Sequence, residues 1–171
     1  HNSKVIRGLG STIHGCGGGL CYAYNNIVSE GGFDGTAEGQ DAVFVDDRPT
    51  KYNNKPLQVY IFNNTVVNSA RDAIRILNSK GTIGSGNLLY NNLVINAGSV
   101  AKYGDRGYIN IEAGIDYTSE DNITGANING FGFVNPGAKD FHIGAGSPAI
   151  DKGRDLSAYF TTDYDSDPRP M

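Results

Sequence analysis

An all-β solenoid, built from short coils stacked so that equivalent strands form parallel sheets, is the fold class this sequence predicts. A corner motif recurs along the chain: Tyr22-Ala23-Tyr24-Asn25-Asn26-Ile27-Val28, then Tyr60-Ile61-Phe62-Asn63-Asn64-Thr65-Val66-Val67, then Leu88-Leu89-Tyr90-Asn91-Asn92-Leu93-Val94-Ile95, with a decayed copy at Glu120-Asp121-Asn122-Ile123. A second motif alternates with it: Asp41-Ala42-Val43-Phe44-Val45, Asp72-Ala73-Ile74-Arg75-Ile76 and Gly107-Tyr108-Ile109-Asn110-Ile111. The composition agrees, because 24 glycines in 171 residues, no tryptophan and one methionine favour turns and strands over long helices.

With Asn25, Asn63, Asn91 and Asn122 as register marks, the repeats are 38, 28 and 31 residues long. A period near thirty marks one supersecondary unit per repeat, too small to bury its own apolar face, so neighbours must stack. Residues 4–8 lead at once into a first strand at 11–14. Each later repeat holds two short strands around an aromatic-Asn-Asn corner, then a loop of variable length, then a strand of the second motif. In that strand the apolar residues lie two apart, the pattern of a strand with one buried face. Stacking places equivalent strands about 4.8 Å apart, and the elastic period goes into outward loops, where added length costs little. The asparagines then have two jobs: stacked amides bond to their equivalents above and below, and Asn tolerates the left-handed backbone of a tight corner. A sandwich or propeller would need hairpin signals between most strands, and only Asp34-Gly35 and Asn129-Gly130 supply them. Residues 155–160 form at most one helical turn.

The net charge of −4, from 14 basic and 18 acidic residues, and a pI of about 5.2 leave no electrostatic footprint for a phosphate backbone, which excludes nucleic acid as a partner. No stretch approaches the roughly 20 apolar residues of a membrane helix, and no basic-then-apolar leader is present. The chain begins with His1, which points to a removed leader or a larger N-terminal portion. Cys16 and Cys21, separated by a glycine-rich spacer, either close a small disulfide ring or stand as two small buried residues in a turn; they cannot complete a zinc site. The run Asp163-x-Asp165-x-Asp167 lacks the glycine and distal glutamate of a calcium loop and reads as a packed tail. The sequons at Asn63 and Asn122 fall on corners, which argues against their glycosylation.

The corners, the Asp-Ala-Ile-x-Ile strands and above all the tail resemble the C-terminal part of right-handed parallel β-helix proteins of the pectate-lyase superfamily. The tail reads Phe141-His142-Ile143, then Ser147-Pro148-Ala149-Ile150-Asp151-Lys152-Gly153, then Thr161-Thr162-Asp163-Tyr164-Asp165-Ser166-Asp167-Pro168-Arg169-Pro170. The family's Asp-Gly-x-Pro-Arg-Pro is here Asp165-Ser166-Asp167-Pro168-Arg169-Pro170, without the turn glycine. The resemblance implies a right-handed parallel β-helix of four to five coils over residues 1–136 and a C-terminal capping tail over 137–171. Because no amphipathic helix shields the first coil, the expectation is a piece of a longer helix whose N-terminal coils are missing or supplied by another chain.

In such proteins the substrate groove runs along the sheet that follows the longer loops, here the strands of the second motif. With the aliphatics pointing inward, Phe44, Arg75 and Asn110 point outward. The resemblance casts Arg75 as the catalytic base, or a carboxylate clamp, of a β-elimination, against the alternative of an ordinary ion-paired surface residue. One repeat separates Asp41 from Asp72 and Phe44 from Arg75, so stacking sets each pair one above the other. Glu38, Asp41, Asp46, Asp47 and Asp72 are the acids that would hold calcium, an ion that takes several oxygen ligands; the bland role for Asp41 and Asp72 is to cap the turns into their strands. Arg48, Lys51, Arg71, Lys80, His14 and Tyr108 are the substrate-binding candidates, with Tyr103 and Arg106 nearby. The expected function is that of a secreted, periplasmic or cell-surface polysaccharide lyase acting on a uronate-containing glycan, with calcium as cofactor and no membrane span. A glycoside hydrolase on the same scaffold and a non-catalytic glycan-binding β-helix are the alternatives, since the fold does not choose among them.

Overall fold

The computed structural model describes residues 4–6, 13–15, 19–31, 41–47, 57–98 and 107–169. Among these residues thirteen short strands wind round one axis: β1 (Lys4–Ile6), β2 (Ile13–Gly15), β3 (Gly19–Tyr24), β4 (Ile27–Ser29), β5 (Val43–Asp46), β6 (Leu57–Phe62), β7 (Thr65–Val67), β8 (Ile74–Leu77), β9 (Asn87–Tyr90), β10 (Leu93–Ile95), β11 (Ile109–Ile111), β12 (Tyr117–Glu120) and β13 (Ile123–Gly125). Every third strand belongs to the same sheet. Sheet 1 runs β1-β4-β7-β10-β13, sheet 2 runs β2-β5-β8-β11, and sheet 3 runs β3-β6-β9-β12, all parallel. The chain is therefore a parallel β-solenoid, as the alternating motifs require. A hairpin, β14 (Phe133–Asn135) with β15 (Asp140–Ile143), follows the last coil.

The period-two pattern sends Val43, Val45, Ile74 and Ile76 of sheet 2 into one continuous core with Val59, Ile61 and Leu89 of sheet 3 and Val28, Val66 and Val94 of sheet 1. Between sheets 3 and 1 the chain turns through two residues with different tasks. The first of each pair, Asn25, Asn63, Asn91 and Asp121, takes the left-handed backbone at φ 50° to 57°. The second, buried in the first three pairs and half-buried at Asn122, carries the ladder: the Asn26 amide donates to Asn64 Oδ1 at 2.8 Å, Asn64 to Asn92 at 2.9 Å and Asn92 to Asn122 at 2.8 Å. Asn122 thus stacks on Asn92, at an interval of 30, and not on Asn91 as the register marks had it. A second left-handed corner, between sheets 1 and 2, falls at Glu30, Asn68 and Asn96, where Asn96 donates to Asn68.

Residues after β13 leave the coil and fold back along its flank. The hairpin lays Phe133 and Phe141 on the outer face of sheet 1, against Ile27, Val67, Leu93 and Ile95. At Gly125 the approach is so close that a Cβ would run into the Phe131 ring. The tail then crosses the corner at Arg154, whose backbone exchanges two hydrogen bonds with the Asn91 side chain. It next sets Leu156 and Phe160 on the outer face of sheet 3, over Phe62, Tyr24 and Tyr90, and here Leu156 O accepts from the Tyr159 and Phe160 amides in the single helical turn expected. It returns to the corner where Asn25 donates to Thr162 O and accepts from Arg169. Cys21 is buried and disulfide-bonded, and Cys16 is the chain's other cysteine.

Candidate functional site

The charged rungs of sheet 2 and the turns flanking it gather most of the described candidates. In-register pairing lines up His14, Phe44, Arg75 and Asn110 across β2, β5, β8 and β11, one per coil. The repeat spacing put Phe44 above Arg75, and so it is, with the Arg75 guanidinium 5.9 Å from the Phe44 ring centroid. Phe44 is buried rather than presented to solvent, at 3% exposure.

Asp41 and Asp72 precede β5 and β8, so stacking brings both carboxylates to Arg75. Arg75 Nη1 lies 3.5 Å from Asp41 Oδ2, and its Nε lies 3.8 Å from Asp72 Oδ2. Arg71 Nε stands 4.0 Å from the other oxygen of Asp41. Asp72 also accepts from the Gly107 amide and the Asn110 side chain, both at 2.9 Å, which ties three coils together. Both acids and Arg71 are buried, whereas the Arg75 side chain keeps 19% exposure, so Arg75 is the member that solvent reaches. Burial raises the Asp41 pKa above the ordinary carboxylate value, and the opposing Arg75 and Arg71 charges only partly compensate. Among the described residues, Asp41 Oδ1, Arg71 Nε and Arg75 Nε in this cluster are buried and find no hydrogen-bond partner.

The remaining acids serve other ends. Asp47 accepts from the Lys80 and Thr82 amides and the Thr82 hydroxyl at 2.8 to 3.0 Å, closing the turn after β8. Burial alone would raise its pKa, but these bonds and one from Asp46 outweigh it, and the net shift is downward. Asp46 is buried on β5 opposite Leu77. Among the described residues no three His, Cys, Asp or Glu converge as ligands for a metal ion. Calcium does not fit the described acids: the cation facing Asp41 and Asp72 is Arg75, and Asp47 is spent on backbone amides. Lys80 is exposed on its turn, and Tyr108 packs against the core while its carbonyl accepts from Ile74. Glu38, Arg48, Lys51, Tyr103 and Arg106 lie outside the described residues, as does the His14 side chain.

One feature of the surface escaped the sequence reading. On the outer face of sheet 3, Tyr22 and Tyr60 meet edge to face at 5.3 Å, and Tyr159 of the tail meets Tyr60 at 5.7 Å. Tyr22, Tyr159 and Leu20 are more than 40% exposed. The alternation of Tyr22 and Tyr24 in the corner motif carried the signal, but the tail residue that completes the row comes from 137 positions downstream. Comparisons with protein-family models, with curated proteins and with solved structures give no match for this chain.

Proposed function

We propose that this chain is a secreted, periplasmic or cell-surface polysaccharide lyase that cleaves a uronate-containing glycan by β-elimination on the outer face of sheet 2, with Arg75 as the clamp on the uronate carboxylate. The observation that carries this reading is the Arg75 guanidinium, solvent-accessible yet held by Asp41 and Asp72 from two coils and set over Phe44. A guanidinium is planar and permanently charged, so it meets a carboxylate through two parallel donors. Neutralising that carboxylate acidifies the proton alpha to it. When a general base takes this proton, its C–H electron pair becomes a double bond conjugated with the carboxylate, which absorbs in the ultraviolet, and the glycosidic C–O bond breaks with its own pair leaving on the departing sugar's oxygen. Asp41 and Asp72 touch no substrate in this scheme; they position Arg75, and Asn110 positions Asp72.

The test is incubation with uronate polysaccharides while following ultraviolet absorbance, comparing the wild type with Arg75→Lys. Lysine keeps the charge facing the buried acids and the fold with it, but loses the planar fork. Turnover should fall on the order of 100-fold, the usual effect of removing one such donor. Absorbance that fails to appear with the wild type, or persists undiminished in Arg75→Lys, overturns the assignment. The exposed Tyr22 and Tyr159 favour a second reading, a non-catalytic glycan-binding surface on sheet 3, since tyrosine rings offer apolar faces with a polar rim. Retention of the chain on immobilised polysaccharide without any unsaturated product, abolished by Tyr22→Ala with Tyr159→Ala, would support it.

A further inference from the structure

Between the tail and the corner between sheets 3 and 1 lies a cavity of about 840 Å³, lined by Asn63 and Asn91 on the coil side and by Thr161, Tyr164 and Arg169 on the tail side. One wall is the loop around Tyr164 and Asp165. That loop is a self-contained turn: Asp163 accepts from the Asp165 and Asp167 amides, and its own amide donates to Asp167 O. Both its ends are pinned, at Thr162 to Asn25 and at Arg169 to Thr161. Its middle is attached to the hairpin by His142. The Nε2 of that ring meets Asp165 Oδ2 at 2.8 Å, while its Nδ1 meets Asp140 of its own strand, and the Tyr164 ring lies edge-on at 6.4 Å.

We propose that the Asp140–His142–Asp165 bridge is a pH-sensitive latch that holds this loop against the hairpin at acid to neutral pH and releases it at alkaline pH, opening the wall of the cavity. The reason is the count of protons. Ionised carboxylates only accept, so two of them on one imidazole require both ring nitrogens to carry hydrogen, which is the imidazolium form. The neutral ring keeps one N–H, and Asp140, already fixed to the His142 backbone amide on the same strand, retains it through Nδ1, so the lone pair falls on Nε2 and the Asp165 side breaks.

The bonds to Asp140 and Asp165 raise the His142 pKa against the opposing pull of desolvation. Raised relative to the unfolded chain, it contributes fully below about 6.5 and is lost as pH climbs through the folded value. Asp140 on β15 and Asp165 on the loop are the charges acting on the ring. The cavity's other charged lining groups are Asp121, Asp151, Arg154, Asp155, Asp163 and Arg169. Of these, Asp121 is paired with Arg154, Asp155 accepts from Ser157 and Asp163 from the loop amides.

The experiment is hydroxyl-radical footprinting of Tyr164 from pH 5 to pH 9, normalised to Tyr117, with the His142 titration midpoint read by NMR. Tyr117 is 46% exposed on β12 and does not line the cavity, whereas Tyr164 is half-buried against the sheet 1 cluster. Tyr164 modification should rise about two- to fivefold across the His142 midpoint, the range an exposed charge pair can impose. In Asp165→Ala, a surface change that leaves the coils intact, modification should be high at every pH. A flat wild-type profile, or an unchanged step in Asp165→Ala, overturns the latch. Neither result bears on the lyase reading, since the loop lies off sheet 2.

Discussion

Replacing Asn64 by alanine tests the architecture at its most repeated contact. Asn64 is 1% exposed, and its side chain accepts from the Asn26 backbone and side-chain amides and donates to Ala23 O and Asn92 Oδ1. Asn92 Oδ1 keeps a partner in the Asn64 backbone amide, but four buried bonds are lost: two from the Asn26 amides, one to Ala23 O and one to Asn92 Oδ1. Each buried hydrogen bond contributes about 0.5–1.5 kcal/mol net, so the four lost together cost about 2–5 kcal/mol. Urea unfolding monitored by circular dichroism should show a lower midpoint with an unchanged slope, because the exposed area on unfolding is the same. Asn63→Ala changes the neighbouring corner residue, which lies outside the ladder and bears on the left-handed backbone and on the part-buried Arg169 guanidinium that its side-chain oxygen accepts from, at a cost of about 1–2 kcal/mol. A loss below about 1 kcal/mol for Asn64→Ala, or one no larger than for Asn63→Ala, would refute the ladder as a stabilising element.

Three further outcomes are expected. Ile74→Asp places a carboxylate at a position with 0% exposure in the core, and should lower unfolding stability by at least about 4 kcal/mol, measured by the same urea titration. Asp47→Asn should flatten the acid limb of the stability profile: because the folded pKa of Asp47 lies below 3.8, its contribution is present above that value and disappears as pH falls through the folded one. Wild type and variant should therefore differ at pH 6 and converge in strong acid, as read by thermal melts. Thiol titration of the denatured, unreduced chain should read zero, since Cys21 is disulfide-bonded and the described chain has no free cysteine.

Much of the candidate site was legible because a stacked coil turns sequence spacing into distance. The interval of one repeat is enough to set Asp41 and Phe44 beside Asp72 and Arg75. Spacing does not say what a stacked pair does, however. Two carboxylates in register read equally as a cation site or as turn caps, and the deciding fact is that Arg75 reaches back across the rung to both. Arg75→Ala is by this geometry a costly change for folding, because it strips a counter-ion from two buried acids. The Asn122 register was misread for a related reason: the decayed corner keeps its left-handed position as Asp121 and its ladder position as Asn122, and only the ladder bond distinguishes them.

The coil itself follows from local chemistry: asparagine in a left-handed corner, aliphatics two apart in short strands, and a period near thirty. These act between neighbours along the chain or between equivalents one turn away, so they leave a pattern in the sequence. The tail obeys no such repeat. Arg169 reaches Asn25 across 144 residues and Lys139 pairs with Glu30 across 109, contacts made once each, with nothing periodic to announce them. Which outer faces are covered, which tyrosines remain exposed and where a cavity opens were settled only when that segment docked, because docking depends on the shape of the finished solenoid.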